Sequence, residues 1–140
     1  MKTKLPSTYV LVLQSNPKVV SRVEHFLQKI CNAIALDDDR FNKILVAATE
    51  AVNNSIIHGN KRNSKKRVTI TCTVHKTVFT ICVEDEGMGV DPAMLPDPLS
   101  KKNLLRENGR GVFLMRSLMD NVKFKRSPGH SVVIMKMRVR

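Results

Sequence analysis

Apolar residues in the first half of the chain recur first at the spacing of a strand and then at that of two helices. Residues 8–14 form a short apolar, β-branched run that predicts a strand. Apolar positions then repeat every three or four residues up to about Leu36, which predicts a first helix. Three aspartates at 37–39 favour the start of a second helix, whose apolar stripe covers 41–56. Gly59 is expected to end it as the C′ residue.

The second half of the chain predicts strands, a long irregular segment and one more helix. The expected strands are 68–74, 78–83, 122–125 and 131–139. After Glu84 the pattern breaks down, and the Pro- and Gly-rich segment 90–108 is long for a connection, as functional lids are. A third helix is expected over 111–119. This order predicts a single α/β (α+β) two-layer sandwich spanning 1–140, with a mixed, mostly antiparallel sheet and helices on one face.

The composition limits the classes of protein that the chain can belong to. It has 24 Lys and Arg against 12 Asp and Glu, a formal net charge of +12, with a cationic segment at 61–67. Such a balance suits a polyanion or an acidic protein partner, although a simply solvated basic surface explains it equally well. With 1 Tyr, no Trp and 5 Phe there is little aromatic surface for stacking bases, which disfavours nucleic acid as a partner.

The cysteines and the apolar runs argue against secretion and membrane insertion. The 3 Cys are odd in number and form no C-x-x-C pair, which disfavours a disulfide scaffold or a zinc site. Apolar runs are too short to span a bilayer, and the N-terminus does not read as a signal peptide. We therefore expect a cytoplasmic protein that does not contact a membrane.

The second helix carries a candidate catalytic pair on the side away from its apolar stripe. Glu50 and Asn54 lie one helical turn apart, between the small residues Ala47 and Ala51. A carboxylate and a carboxamide so placed can position a hydroxyl group and supply oxygen to a hard cation such as Mg²⁺. Taken alone, the same pattern also describes an ordinary solvated helix face.

Two glycine-rich stretches complete the candidate chemistry. Asp85 ends a strand and is followed by Gly87 and Gly89, so a carboxylate could accept a hydrogen bond from the exocyclic amine of a flat ligand packed on the backbone. Gly109, Arg110 and Gly111 lie near the start of the third helix, where amide donors favour a phosphate. A hairpin turn and a loop that caps a helix are the alternatives, and the spacing fits neither a P-loop nor a Rossmann fingerprint.

Taken together, these stretches resemble a known ATP-binding module. EAVNNSIIHGN, DEGMG, the Pro-rich segment, GRGVFLM and the PGHS turn occur in the order found in the Bergerat fold of the GHKL superfamily. Within that superfamily the chain resembles the anti-sigma factor serine/threonine-protein kinases of stress response and sporulation. The resemblance covers about 8–139, and it implies that 90–108 is an ATP lid, mobile without nucleotide.

The resemblance also implies a role for individual residues. Glu50 matches the general base and Asn54 the ligand of Mg²⁺, while the residues that match the ATP-binding set are Asn54, Asp85, Gly87, Gly89, Gly109, Arg110, Gly111 and Ser131. Arg22 coincides with an arginine used against protein partners. The chain departs from the family where His130 precedes Ser131, and where Glu107 stands in place of an arginine found in some members, with Arg106 one step earlier.

The implied function is that of an ATP- and Mg²⁺-dependent protein-serine kinase and anti-sigma factor. Such a protein phosphorylates an anti-anti-sigma (STAS-type) partner, sequesters a sigma factor and forms a homodimer. A sensor histidine kinase is disfavoured because no segment is long enough for a phosphoacceptor helix pair. The remaining alternative is a non-catalytic ATP-binding module that regulates a protein partner.

Overall fold

The computed structural model describes residues 7–87 and 107–139. The strands are β1 (Ser7–Gln14), β2 (Arg67–His75), β3 (Val78–Asp85), β4 (Asn121–Ser127) and β5 (His130–Arg138). The helices are a 3₁₀ turn (Pro17–Val19), α1 (Ser21–Ala33), α2 (Asp38–Asn54), a π-helical turn (Ser55–Gly59) and α3 (Glu107–Leu118). None of the described helices is long and apolar enough to cross a membrane.

The strands form one sheet in the order β1-β2-β3-β5-β4, and every pairing between these five strands is antiparallel. Two-residue turns connect the hairpins: Lys76 adopts a φ of 54° in the first, and Gly129 a φ of 75° in the second. The predicted α+β fold is confirmed.

Alternate residues of each strand face the helices and form the core. Ile70, Ile81 and Met135 lie on this face of three neighbouring strands and have no exposed surface. The opposite face is partly open to solvent and carries Thr71 and Cys82, which are paired across β2 and β3. Because side chains alternate along a strand, burial of one face specifies the register of the sheet.

Helix α2 is capped at its N-terminus and buried on two sides. The side chain of Asp37 caps its N-terminus by accepting a hydrogen bond from the Arg40 amide at 3.1 Å. The Arg40 guanidinium also donates a hydrogen bond to the Asp37 carboxylate at 2.8 Å, and this bond lowers the pKa of Asp37. Ala48 is buried on the side that faces the core. Ala47 and Ala51 are buried on a second side, where α3 packs. The α2 face predicted to carry the chemistry is therefore covered by protein.

Three boundaries differ from the sequence prediction. The first helix starts as a separate 3₁₀ turn capped by Asn16 and ends at Ala33, not near Leu36. Gly59 is not a C′ residue but the last residue of the π-helical turn. Helix α3 begins at Glu107, earlier than the predicted residue 111. Most of the predicted lid, 90–108, lies outside the described residues.

The cysteines test the register of β2 and β3. Burial raises the pKa of Cys31 to about 11 and also raises the pKa of Cys72 and of Cys82, but only Cys82 is partly accessible, on the open face. We expect iodoacetamide to label Cys82 first in the native protein, because alkylation needs an accessible thiolate. Mass spectrometry of labelled peptides measures the order, with the unfolded protein as the control in which all three react. Faster labelling of Cys72 would indicate a strand shifted by one residue.

Candidate functional site

The junction between the π-helical turn and the end of β3 is so tight that it requires glycine. A Cβ atom at Gly59 would collide with the carboxylate of Asp85, and one at Gly87 would overlap the carbonyl oxygen of Gly59. The π-helical turn brings the backbone of Gly59 against Asp85, and such turns are frequent at functional sites. The absence of side chains, not a left-handed conformation, is what the two glycines contribute here.

Asp85 is a buried carboxylate with fixed partners. It is 5% exposed, and its Oδ1 accepts hydrogen bonds from the Gly87 amide at 2.9 Å and from the Ser131 hydroxyl at 2.5 Å. Burying a carboxylate is unfavourable unless such donors compensate for lost water. Among the described residues both bonds go to Oδ1, so Oδ2 can accept another donor.

A pocket opens beside Asp85 between α2, α3 and the sheet, with an empty volume, including its mouth, of about 380 Å³. Its apolar lining consists of Ala51, Val83, Met115, Phe124, Val132 and Val133. Its polar lining includes Asn54, Ser55, Asp85, Lys125, Arg126 and Ser131. Apolar walls with one convergent carboxylate suit a flat heteroaromatic ring that carries an amine.

Glu50 and Asn54 lie against α3 at Gly111, and Asn54 also lines the pocket. A Cβ atom at Gly111 would stand 2.9 Å from Glu50 Oε2 and 3.2 Å from Asn54 Nδ2. Glu50 is half-buried, and Asn54 is only 8% exposed. The glycine therefore lets the α3 backbone approach a carboxylate and a carboxamide that lie side by side.

The carboxamide of Asn54 fits a bound nucleotide and cation. Its Nδ2 is buried and has no hydrogen-bond partner in the described part of the chain. An unpaired buried polar atom is costly, and a ligand that bonds to it removes that cost. The other atom of the same group, Oδ1, is an oxygen of the kind that Mg²⁺ prefers.

The structure brings most of the sequence-predicted site residues into one region. Asn54, Asp85 and Ser131 line the pocket, with Gly87 bonded to Asp85 and with Glu50 and Gly111 adjoining Asn54. Gly109 and Arg110 lie in the first turn of α3, not in a loop before it, and Arg110 is exposed. Gly89 lies outside the described residues.

Arg22 lies apart from the pocket. It is exposed on α1 and lines a separate groove between α1 and the edge strand β1, together with Tyr9, Leu11 and Phe26.

Two buried polar residues were missed by the sequence analysis. Asn60 and Ser15 are each 1% exposed, and Asn60 Nδ2 donates to Ser15 Oγ at 2.6 Å. An Asn after a helix-ending Gly is common in turns, so its type alone does not reveal a buried role. The role of Gly59 was also missed, because it depends on contact with a residue far along the chain.

The chain matches the histidine kinase-like ATPase domain over residues 13–137. It therefore belongs to the histidine kinase-like ATPase domain family, a family of ATP-binding domains. Among solved structures, a Mycobacterium tuberculosis chain with RsbU and RsbW domains has a TM-score of 0.72 at 16% identity, over 95% of this chain and 32% of that one. That similarity shows the same fold.

Within the family, the chain groups with the anti-sigma factors. It is 35% identical over 92 residues to the anti-sigma F factor of Bacillus subtilis, which is 64% of this chain and 63% of that protein. It is 36% identical over 104 residues to the anti-sigma F factor of Clostridium acetobutylicum, 71% of each chain. The match thus spans slightly less than two thirds of the Bacillus protein. The resemblance to anti-sigma factor kinases of the GHKL superfamily is confirmed.

Two glycine substitutions separate the two ends of the site. Gly59→Ala places a methyl group on the tethered Asp85 carboxylate, and we expect it to destabilise the fold by about 1–3 kcal/mol and to weaken ATP binding. A Cβ atom at Gly111 would stand close to the side-chain ends of Glu50 and Asn54, and alanine gains about 1 kcal/mol of helix propensity, so we expect Gly111→Ala to lose less stability than Gly59→Ala. Thermal unfolding and ATP titration measure both. ATP affinity unchanged in Gly59→Ala would contradict a role of the Gly59–Asp85 junction in nucleotide binding.

Proposed function

We propose that the protein is an ATP-dependent protein-serine kinase and anti-sigma factor that acts in the cytosol. It phosphorylates an anti-anti-sigma (STAS-type) partner and sequesters a sigma factor. The relatives' names support binding of a sigma factor, and the matched family supports the use of ATP. The observation that carries the kinase assignment is the half-buried carboxylate of Glu50 beside Asn54, where α3 approaches α2 through Gly111.

The pocket accounts for both ends of an ATP molecule. Asp85 accepts a hydrogen bond from the exocyclic amine of the adenine. Ser131 and Gly87 hold the Asp85 carboxylate in place by donating hydrogen bonds to it. Asn54 contacts the phosphate end and supplies an oxygen to Mg²⁺, and the amides at the first turn of α3, with Arg110, favour the phosphates. Gly89 belongs to the same base-binding stretch, and Gly109 and Gly111 give the phosphates room.

Glu50 provides the proton-transfer step. Its carboxylate orients the hydroxyl of the partner's serine and accepts its proton as the oxygen becomes a nucleophile. ATP, when bound, supplies the phosphoryl group, with a serine O–P bond forming as the bond to ADP breaks. The half-buried position of Glu50 limits the hydration of its carboxylate.

Arg22 and its groove offer a place for protein partners. The groove combines apolar side chains with the cations Arg22 and Lys29, and the neighbouring Val10 on β1 is 61% exposed. Exposed apolar surface with a charged rim is typical of protein interfaces. We assign Arg22 to partner binding, and the homodimer stays a prediction.

The variant Glu50→Gln separates a kinase from a binding module. It should retain ATP and partner binding but lose roughly 10²- to 10⁴-fold in phosphotransfer, since the amide cannot accept the proton. The assay is incubation with labelled ATP and the small regulators encoded beside it, followed by detection of phosphoserine. Asn54→Ala is the comparison, because it should weaken nucleotide binding as well.

A specific result would contradict the kinase assignment. If wild type and Glu50→Gln were both inert toward each co-encoded partner while both bound ATP and a sigma factor, the protein would be a non-catalytic regulatory module.

Asp85→Asn tests the base end of the pocket. The carboxamide can turn a donor toward the adenine amine, so we expect ATP affinity to fall by about tenfold or more, while the fold persists. Titration of the folded variant with ATP measures the loss, and circular dichroism is the control for folding. Unchanged affinity would remove Asp85 from the site.

A further inference from the structure

The carboxamide of Asn60 lies between the ends of β2 and β3, where a backbone pair would otherwise form. Its Nδ2 donates to the Arg67 carbonyl at 3.0 Å, and its Oδ1 accepts from the Glu86 amide at 2.8 Å. The side chain is almost completely buried, and a bond to Ser15 uses its second N–H. Asn60 therefore joins both strand ends through one planar group.

The register shows what this group replaces. The β2–β3 ladder ends at Thr69 opposite Glu84, and two further residues would bring Arg67 opposite Glu86. Hydrogen-bonded pairs in an antiparallel ladder recur every second residue, so this would be a pair of the same type. Instead, the side-chain carboxamide of Asn60 occupies the space between the Glu86 N–H and the Arg67 carbonyl. The Arg67 amide bonds to Glu86 Oε2 at 2.5 Å, not to its backbone.

The consequence is that the end of β3 separates from β2 at the residues that form the base pocket. Glu86 lies between Asp85 and Gly87, and Gly87 packs on the carbonyl of Gly59, next to Asn60 in the chain. The backbone of Asn60 is anchored in turn, because its amide donates to the Ser55 carbonyl at 2.7 Å. The same residue thus ties the π-helical turn to the strand that carries Asp85.

We propose that Asn60 is a positioning residue for base recognition: its carboxamide acts as a wedge between β2 and β3 that sets the position of the Asp85 carboxylate. This inference rests on the proposed function, in which Asp85 accepts the adenine amine. Guanine presents a carbonyl oxygen where adenine presents that amine, so the preference for ATP over GTP depends on where the carboxylate stands.

The test compares Asn60→Ala and Asn60→Asp with Ser15→Ala. Asn60→Asp keeps the shape of the side chain, but its second oxygen repels the Arg67 carbonyl, and this repulsion displaces the carboxylate from the Glu86 amide as well. Ser15→Ala removes one bond of the same side chain and leaves the bridge between the strands intact. The readouts are amide hydrogen exchange of Glu86 in the nucleotide-free protein and the ratio of ATP to GTP affinity.

We expect both Asn60 variants to speed exchange of the Glu86 amide and to reduce the ATP/GTP affinity ratio, each by about tenfold, the equivalent of one lost buried hydrogen bond. Ser15→Ala should lower the melting temperature and leave both readouts near wild type. The wedge is overturned if the folded Asn60→Asp variant matches Ser15→Ala in both readouts. If the wild-type protein binds no nucleotide, the proposed function is contradicted instead. The exchange rates of the Glu86 amide then still test whether Asn60 holds the two strand ends.

Discussion

Burial of the Asp85 carboxylate is the constraint on which the rest of the site depends. A carboxylate removed from water must find donors, and here they come from the chain that follows it and from β5, through Gly87 and Ser131. The backbone of Gly59 also packs against the carboxylate, without a side chain between them. One charged group thereby fixes three elements relative to one another: the end of β3, the start of β5 and the π-helical turn.

The second constraint is the close approach of α3 to α2. An amphipathic helix ordinarily leaves its polar side in water, but Ala47 and Ala51 are buried and Asn54 is nearly so, because α3 covers that side. Small residues on α2 and Gly111 on α3 make this approach possible. The polar pair Glu50 and Asn54 is thus placed inside the protein, where electrostatic interactions are stronger than in water.

The sequence predicts well whatever depends on burying one face. The strands follow from alternation, since a shift by one residue would bring Thr71 and Thr80, the chain neighbours of Ile70 and Ile81, into the core. The spacing of Glu50 and Asn54 places them on one side of a helix for a similar reason. These features are local in the chain, and the helical and strand periods alone determine them.

What the sequence does not predict depends on contacts between distant residues. Gly109 and Gly111 weaken a helix, so the helix is expected to start at residue 111, yet α3, which packs against α2, begins at Glu107. The π-helical turn is set by the contact of Gly59 with Asp85, which lies far along the chain. The role of Asn60 is hidden for the same reason, because its partners come from three separate segments.

The electrostatics of Glu50 bear on whether the site performs chemistry. Two like charges about 4 Å apart repel by roughly 4 kcal/mol near a protein surface, so a carboxylate beside bound phosphates works against affinity. In the proposed binding mode, retention of ATP needs only Asp85 for the base and Asn54 with the α3 amides for the phosphates. Glu50 adds nothing to that retention, and a carboxylate there serves as the proton acceptor of the proposed phosphotransfer. A site that only held ATP would be better served by a neutral residue at this position, and this difference favours the kinase over the binding module.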